Sequence, residues 1–191
     1  MSAKVVLLAS GQGSLAQAIF DAVGNGQLDA QILEVISDQP HAPVLVRAAA
    51  AGISCFVHPM QRDRLQWDAQ LIEHMNGLAP DLVISAGFMR ILPSLFVSRF
   101  KVINTHPALL PAFPGAHPVR DAIIARVSIT GASVHWVDEG VDTGEVIAQA
   151  SVEVLPGDDE FTLHERIKIV ERGLIVATLK ELLPTLESHH A

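Results

Sequence analysis

Asn104 and His106 stand two residues apart in the run Asn104-Thr105-His106-Pro107, directly after the apolar stretch 100–103. That stretch reads as a short strand, and residues i and i+2 of a strand share a face. An amide that donates hydrogen bonds and an imidazole that can carry a proton therefore aim at one point. Such a pair suits a carbonyl whose oxygen becomes negative during reaction, because donors placed around a developing oxyanion lower the barrier. Taken alone, the two residues could equally end a strand at the surface, with Pro107 as the stop. The elements that position them carry the rest of the argument.

The chain has 191 residues, enough for one domain with a real core. Hydrophobic residues make up 49% and charged residues 18%, a globular balance. The formal net charge is −8 and no basic run occurs, which argues against nucleic acid or an acidic membrane surface as the main partner. A small anion remains compatible, since backbone N–H groups can bind one locally. The single cysteine, Cys55, allows no internal disulfide and fits a reducing compartment. Flanked by Ile53 and Phe56, it reads as a small core residue on a strand rather than a nucleophile. No signal-peptide pattern opens the sequence and no apolar run approaches a membrane span, so a soluble cytoplasmic protein is expected.

The first half alternates strand and helix. Residues 5–9 are a continuous apolar run, as in a strand buried on both faces. The turn Ser10-Gly11-Gln12-Gly13-Ser14 follows, and Leu15, Ile19, Ala22 and Val23 then recur at helical spacing. A strand, a glycine-rich turn and a helix start can make an anion site, because first-turn N–H groups lack intrahelical partners and the helix dipole favours negative charge there. Ala16 stands where a dinucleotide fingerprint has its third glycine, and no Gly-Lys-Ser/Thr follows. The turn is a cradle for a single phosphate, or a turn that simply needs glycines. Residues 31–37, 53–57 and 82–86 read as further strands. Residues 40–52 and 62–78 read as helices, the latter with Leu65, Ala69, Ile72, Met75 and Leu78 inward. Trp67 reads as packing, and Arg64 as a surface residue able to reach a carboxylate. The loop Gly87-Phe88-Met89-Arg90-Ile91-Leu92-Pro93 is unusually apolar. It either packs under the sheet edge or lines an apolar slot.

In the second half three prolines and a glycine stiffen the run from Pro107 to Gly115. Residues 118–126 read as a helix, and 129–137 as a strand that carries His135 near its end. The loop 138–144 brings Asp138, Glu139 and Asp142 together, and 146–155 reads as the return strand. Asp142 could face His106 and move protons, or the loop could be a solvated hairpin; its spacing fits neither an EF-hand nor a zinc site. Residues 162–183 read as a long amphipathic helix with Glu171 either a surface charge or a contact to a ligand hydroxyl. The end, 187–191, reads as frayed. The expected fold is α/β: an open, mostly parallel Rossmann-like sheet with helices on both faces and a C-terminal antiparallel extension. Ligands bind such sheets beyond the carboxyl ends of the strands.

With these motifs in order, the chain resembles the phosphoribosylglycinamide formyltransferases over essentially its whole length. The resemblance is carried by Ser10–Ser14, by Ala86-Gly87-Phe88-Met89-Arg90-Ile91-Leu92, and by Asn104-x-His106-Pro107-x-Leu109-Leu110-Pro111-x-Phe113-Pro114-Gly115. Val134-His135-x-Val137-Asp138 with Val141-Asp142-x-Gly144 completes it. It implies transfer of a formyl group from 10-formyltetrahydrofolate to the amine of N1-(5-phospho-D-ribosyl)glycinamide in de novo purine (IMP) biosynthesis, with no metal. It also implies one formyltransferase domain over 1–191, with a phosphate-binding half at about 1–100 and a folate and catalytic half at about 101–191. Asn104 and His106 would hold the formyl oxygen, and Asp142 would pair with His106 in a proton relay. Gly11, Gln12, Gly13, Ser14 and Leu15 would bind the phosphate, and Glu171 the ribose. Met89, Arg90, Ile91 and Leu92 would line the pterin slot together with Asn104 and Asp142, and Arg64 would face the folate tail. Two departures stand out: many members have Asn at the position of Leu15, and a second His at that of Val119. A formyltetrahydrofolate hydrolase and a non-catalytic folate or phosphosugar binder are the alternatives, and a homodimer is left open.

Overall fold

The computed structural model describes residues 2–187. Within them, seven strands form one sheet in the order β3-β2-β1-β4-β5-β6-β7. The strands are β1 (Ala3–Leu8), β2 (Ala30–Ser37), β3 (Cys55–Val57), β4 (Leu82–Ser85), β5 (Val102–His106), β6 (Ile129–Trp136) and β7 (Val146–Glu153). β3 through β5 pair in parallel, and β6 and β7 add antiparallel. The expected sheet, with its antiparallel extension, is thus present.

The apolar run of β1 shows why the sheet is covered on both sides. Val5 and Leu7 pack against α1 (Ser14–Gly24), α2 (Pro43–Ala50) and α6 (Glu160–Glu187). Val6 and Leu8 face the opposite way, onto α3 (Arg64–Leu78) and α4 (Ser94–Arg99). A third cluster joins α5 (Pro118–Ile124) and α6 to β6 and β7 through Val119, Ala132, Val152, Leu163 and Ile167. Among the described residues no helix is long and apolar enough to cross a membrane.

Three expectations are corrected. Cys55 is exposed, because β3 is only three residues long and forms the sheet's outer edge. α3 turns a different face inward: Trp67, Asp68, Leu71, Ile72 and Met75 are buried, whereas Leu65 is 81% exposed and Ala69 is exposed. Trp67 sets that phase. It is fully buried, its ring stacks on His58, and its Nε1 donates to the His58 carbonyl at 3.0 Å. The short helix α4 also lies in the segment after Pro93; six residues are too few to show helical periodicity, yet Phe96 is fully buried there. The frayed end expected at 187–191 falls outside the described residues, apart from Glu187 at the close of α6.

Strand order reverses direction of growth between β1 and β4, which opens a crevice at their carboxyl ends. The loops there are tied together: Ala86 N donates to Leu8 O at 2.8 Å and Ser10 N to Gly87 O at 3.0 Å. Trp67→Phe keeps most of the buried ring but leaves the His58 carbonyl without its donor. It is expected to lower stability by about 1–3 kcal/mol, read from urea unfolding; an unshifted midpoint would show that this bond carries no weight.

Candidate active site

A cleft of about 450 Å³ opens at this sheet edge, within the usual size range of small-molecule sites. Its floor is the turn after β1. Gly13 is the N-cap of α1 and adopts φ 73°, a left-handed conformation that favours glycine. A Cβ on Gly13 would also sit 2.5 Å from Val44 Cγ2, so α2 packs directly on the turn. Val44 N donates to Gly11 O at 3.2 Å and Arg47 Nε to Gln12 O at 2.8 Å, which clamps the turn from the same side. No side chain caps α1 and no acidic residue stands in its first turn. Its first N–H groups, with Ser14 and Leu15 lining the cleft, are free for an anion.

The opposite wall comes from β5 and β6. Their antiparallel register sets Asn104 opposite His135 and His106 opposite Ser133. Side chains directly opposite on one face meet. Asn104 Nδ2 lies 3.2 Å from His135 Nε2, and His135 Nδ1 lies 2.8 Å from the Trp136 carbonyl. The Nδ1–H of His135 donates to Trp136, and its Nε2 faces both the Asn104 amide and, at 3.5 Å, Asp142 Oδ1. His135 is thus an addition to the site that the strand register reveals.

Asp142 reaches in from the loop after β6. Its Oδ2 lies 3.3 Å from His106 Nδ1 and its Oδ1 lies 3.5 Å from His135 Nε2. Gly115 N donates to Oδ2 at 2.8 Å. Burial alone would raise the Asp142 pKa. The hydrogen bond from His135, the Gly115 N–H and the charges of the two imidazoles outweigh it and hold the carboxyl below its ordinary value. Asp142 itself takes φ 54°, a strained conformation for a non-glycine residue that the surrounding bonds enforce. On the far side of the ring, His106 Nε2 donates to the Phe113 carbonyl at 2.8 Å. Both ring nitrogens of His106 face acceptor oxygens, so the ring is set as a donor.

The loop that supplies Phe113 and Gly115 is held from beneath. Buried Ser133 donates to the Ala108 carbonyl at 2.6 Å and accepts from Leu110 N at 3.0 Å. Gln149 on β7 donates to the Leu110 carbonyl at 2.9 Å and to Ser133 Oγ at 2.8 Å. Asn104, His106, Asp142 and the Gly13 turn all line the one cleft. Residues 3–179 match the model of the formyl transferase family.

The chain belongs to the formyl transferase family. It is 48% identical over 187 residues to a phosphoribosylglycinamide formyltransferase of Mycobacterium tuberculosis (strain CDC 1551 / Oshkosh), covering 94% of this chain and 85% of that protein. The crystal structure of glycinamide ribonucleotide transformylase 1 from Geobacillus kaustophilus superposes with a TM-score of 0.91 at 38% identity, covering 96% of this chain and 100% of that one. The same enzyme from Symbiobacterium toebii gives a TM-score of 0.91 at 36% identity, over 94% and 86%.

The residues expected to line the pterin slot and face the folate tail divide in space. Met89 lines the cleft. Arg90 turns away and its Nε pairs with Asp38 at 2.7 Å; Ile91 is exposed; Leu92 packs into the core with Phe96. Arg64 is paired with Asp68 at 2.7 Å, lies over the Trp67 ring, and donates to the Ile91 carbonyl from outside the cleft. Arg64, Arg90, Ile91 and Leu92 are therefore not among the cleft-lining side chains. Leu15 packs partly against the core, and Val119, at the position of the second histidine, is core.

The third wall is a stripe of α6, where Glu160, His164, Lys168 and Glu171 line the cleft at spacings of four, four and three. In the sequence this stripe looks like any solvent-facing helix side, so only Glu171 was legible, through the resemblance. Burial pushes the Glu171 carboxyl up to about 7, against the pull of Lys168 and Arg172. His164 is held below its ordinary value, first by burial and then by the Lys168 charge. Among the described residues no group of three or more His, Cys, Asp and Glu is arranged to hold a metal ion.

Two outcomes follow from these environments. Gly13→Ala adds both strain and a clash with Val44, so thermal stability falls and affinity for a phosphate ester falls further; a variant that binds inorganic phosphate and melts as wild type does would contradict the close approach. Glu171 binds its proton more tightly folded than unfolded, so stability declines as pH rises from about 4.5 to about 7. Glu171→Gln removes that loss. The melting temperature of the ligand-free variant should exceed wild type at pH 8 and match it near pH 4.5, and an equal difference at both pH values would rule out the raised carboxyl.

Proposed function

We propose that this chain transfers the formyl group of 10-formyltetrahydrofolate to the amine of N1-(5-phospho-D-ribosyl)glycinamide, a step of de novo purine synthesis. The observation that carries the reading is the convergence of an amide, an imidazole and an ionised carboxylate opposite a phosphate cradle in one cleft. Family membership and the names of the relatives support it. The phosphate is assigned to the Gly11–Leu15 turn, in the first half of the chain, with Lys168 on α6 as the nearby cation. Ribose contact is assigned to Glu171. The pterin is assigned to the Met89 side of the cleft, with Arg90 to Leu92 contributing backbone rather than side chains.

In this reading the glycinamide nitrogen forms a bond to the formyl carbon, and the carbonyl electrons move onto oxygen. The Asn104 amide and the His106 ring donate to that oxygen. Each such donor is worth about 3 kcal/mol of barrier. His106 must exchange the Phe113 carbonyl for the substrate oxygen to do so, since both its nitrogens are already engaged. The oxygen's electrons then return, the bond from the formyl carbon to the folate nitrogen breaks, and tetrahydrofolate leaves. The amine gives up one proton and the departing nitrogen gains one. Asp142, ionised beside His106, is the group placed to take up and pass on that proton.

His106→Ala should lower kcat by about 100- to 1,000-fold, and Asp142→Asn should act similarly while circular dichroism stays unchanged. Incubation with 10-formyltetrahydrofolate separates the alternatives. Tetrahydrofolate release only with the glycinamide amine supports transfer, release without it supports hydrolysis, and no release leaves a binding protein.

A further inference from the structure

Asp38 follows β2 and is buried at 2% exposure, yet it is not part of the cleft. Its carboxylate is bonded from three sides. Ser10 Oγ donates to Oδ1 at 2.6 Å, Arg90 Nε to Oδ2 at 2.7 Å, and Gln39 Nε2 to Oδ2 at 2.8 Å. Ser10 also accepts from Met89 N at 2.8 Å, so its one hydroxyl joins Asp38 to the backbone of a cleft residue. Ser10 opens the glycine-rich turn, and Met89 and Arg90 belong to the loop after β4. β2, β1 and β4 are neighbours in the sheet. Asp38 is therefore a knot at the carboxyl ends of three adjacent strands, and it ties together the glycine-rich turn and the Met89 loop, both of which line the cleft.

We propose that Asp38 is a positioning residue that couples the phosphate turn to the folate loop, so that filling one side of the cleft tightens binding on the other. The assignment of the two sides rests on the transfer reading given above. A ligand that orders the turn settles Ser10, Ser10 settles Asp38 and the Met89 amide, and Asp38 settles Arg90. The backbone bond from Ser10 N to Gly87 O joins the same two loops, and the Ser10, Asp38 and Arg90 side chains, bonded end to end, extend that link from the turn to Arg90. The carboxylate is stable in this buried place because three donors, one of them the Arg90 cation, face it. Burial alone would raise its pKa, but the bonds from Ser10, Gln39 and Arg90 and the Arg90 charge hold it below its ordinary value.

The test is the ratio of glycinamide ribonucleotide dissociation constants without and with saturating tetrahydrofolate, measured by calorimetry. By thermodynamic linkage the same ratio appears when the titration is run from the folate side. Wild type should show tightening of roughly five-fold or more. Asp38→Asn keeps shape but loses the charge, and should bring the ratio towards one while KM for both substrates rises more than kcat falls. A purely structural role would lower the melting temperature and leave the ratio alone. Should Asp38→Asn fail to fold, Ser10→Ala removes both the bond to Asp38 and the link to the Met89 amide, and must reduce the ratio as well. A ratio of one in wild type, or an unchanged ratio in a folded variant, overturns the coupling while transfer activity stands. Absence of transfer in wild type instead overturns the functional reading beneath it.

Discussion

Asp142 carries a negative charge into a site where its side chain is only 13% exposed, and the surroundings are arranged to compensate. A buried, uncompensated carboxylate would take up a proton and cease to be a base. Here the Gly115 N–H, His135 and His106 each contribute, and each comes from a different segment. The proline-rich loop supplies Gly115, β6 supplies His135, and β5 supplies His106. The antiparallel pairing of β5 with β6 is what brings the last two together, because the register sets Asn104 against His135. Shifting that register by one residue would turn all of these side chains to the other face.

The loop around the site is rigid for the same reason. Ser133 bonds the Ala108 carbonyl and the Leu110 amide, and Gln149 bonds the Leu110 carbonyl and Ser133 itself. That fixes where the Phe113 carbonyl and the Gly115 amide stand, and through them the ring of His106 and the carboxylate of Asp142. The strain at Asp142 and Phe113, both at φ 54°, persists because the bonds around them over-determine the backbone. Such a scaffold holds Asp142 and its donors in place beforehand, so that in the proposed reaction the rearrangement is confined to His106 trading its Phe113 partner for the substrate oxygen.

Much of this was legible from local pattern. The continuous run of β1, the glycine-rich turn and the Asn104–His106 spacing each follow from period and residue type, and the structure brings all three to one sheet edge. Contacts between distant segments were not legible. Nothing in the sequence states that His135 meets Asn104, since that needs the strand register. Nothing states that Arg90 leaves the cleft for Asp38, since that needs β2 and β4 to flank β1. Cys55 was read as core from its apolar neighbours, but a strand at a sheet edge has no partner on one side to bury it. On α3 the apolar positions fit more than one helical phase, and Trp67 chose among them by stacking on His58.

Two carboxylates of the cleft, Asp142 and Glu171, are driven in opposite directions, and this separates their roles. Asp142 is held ionised by donors, while Glu171 is held protonated up to about 7 by burial. Environments that push two acids apart in this way divide proton handling between them. An ionised Asp142 beside His106 can accept a proton. A neutral Glu171 can donate a hydrogen bond, and it adds no negative charge near the anion cradle. In the proposed reaction that matters, because a chain of net charge −8 must draw in a phosphate against its overall field. The local balance is instead set by Lys168, by the uncapped N-terminus of α1 and by the uncharged form of Glu171. In the proposed reading Leu15 offers no polar side chain, which leaves the phosphate to backbone N–H groups. The close packing of Val44 on Gly13 then has a functional reason, because a cradle made only of backbone holds its shape only as well as the helix pressed against it.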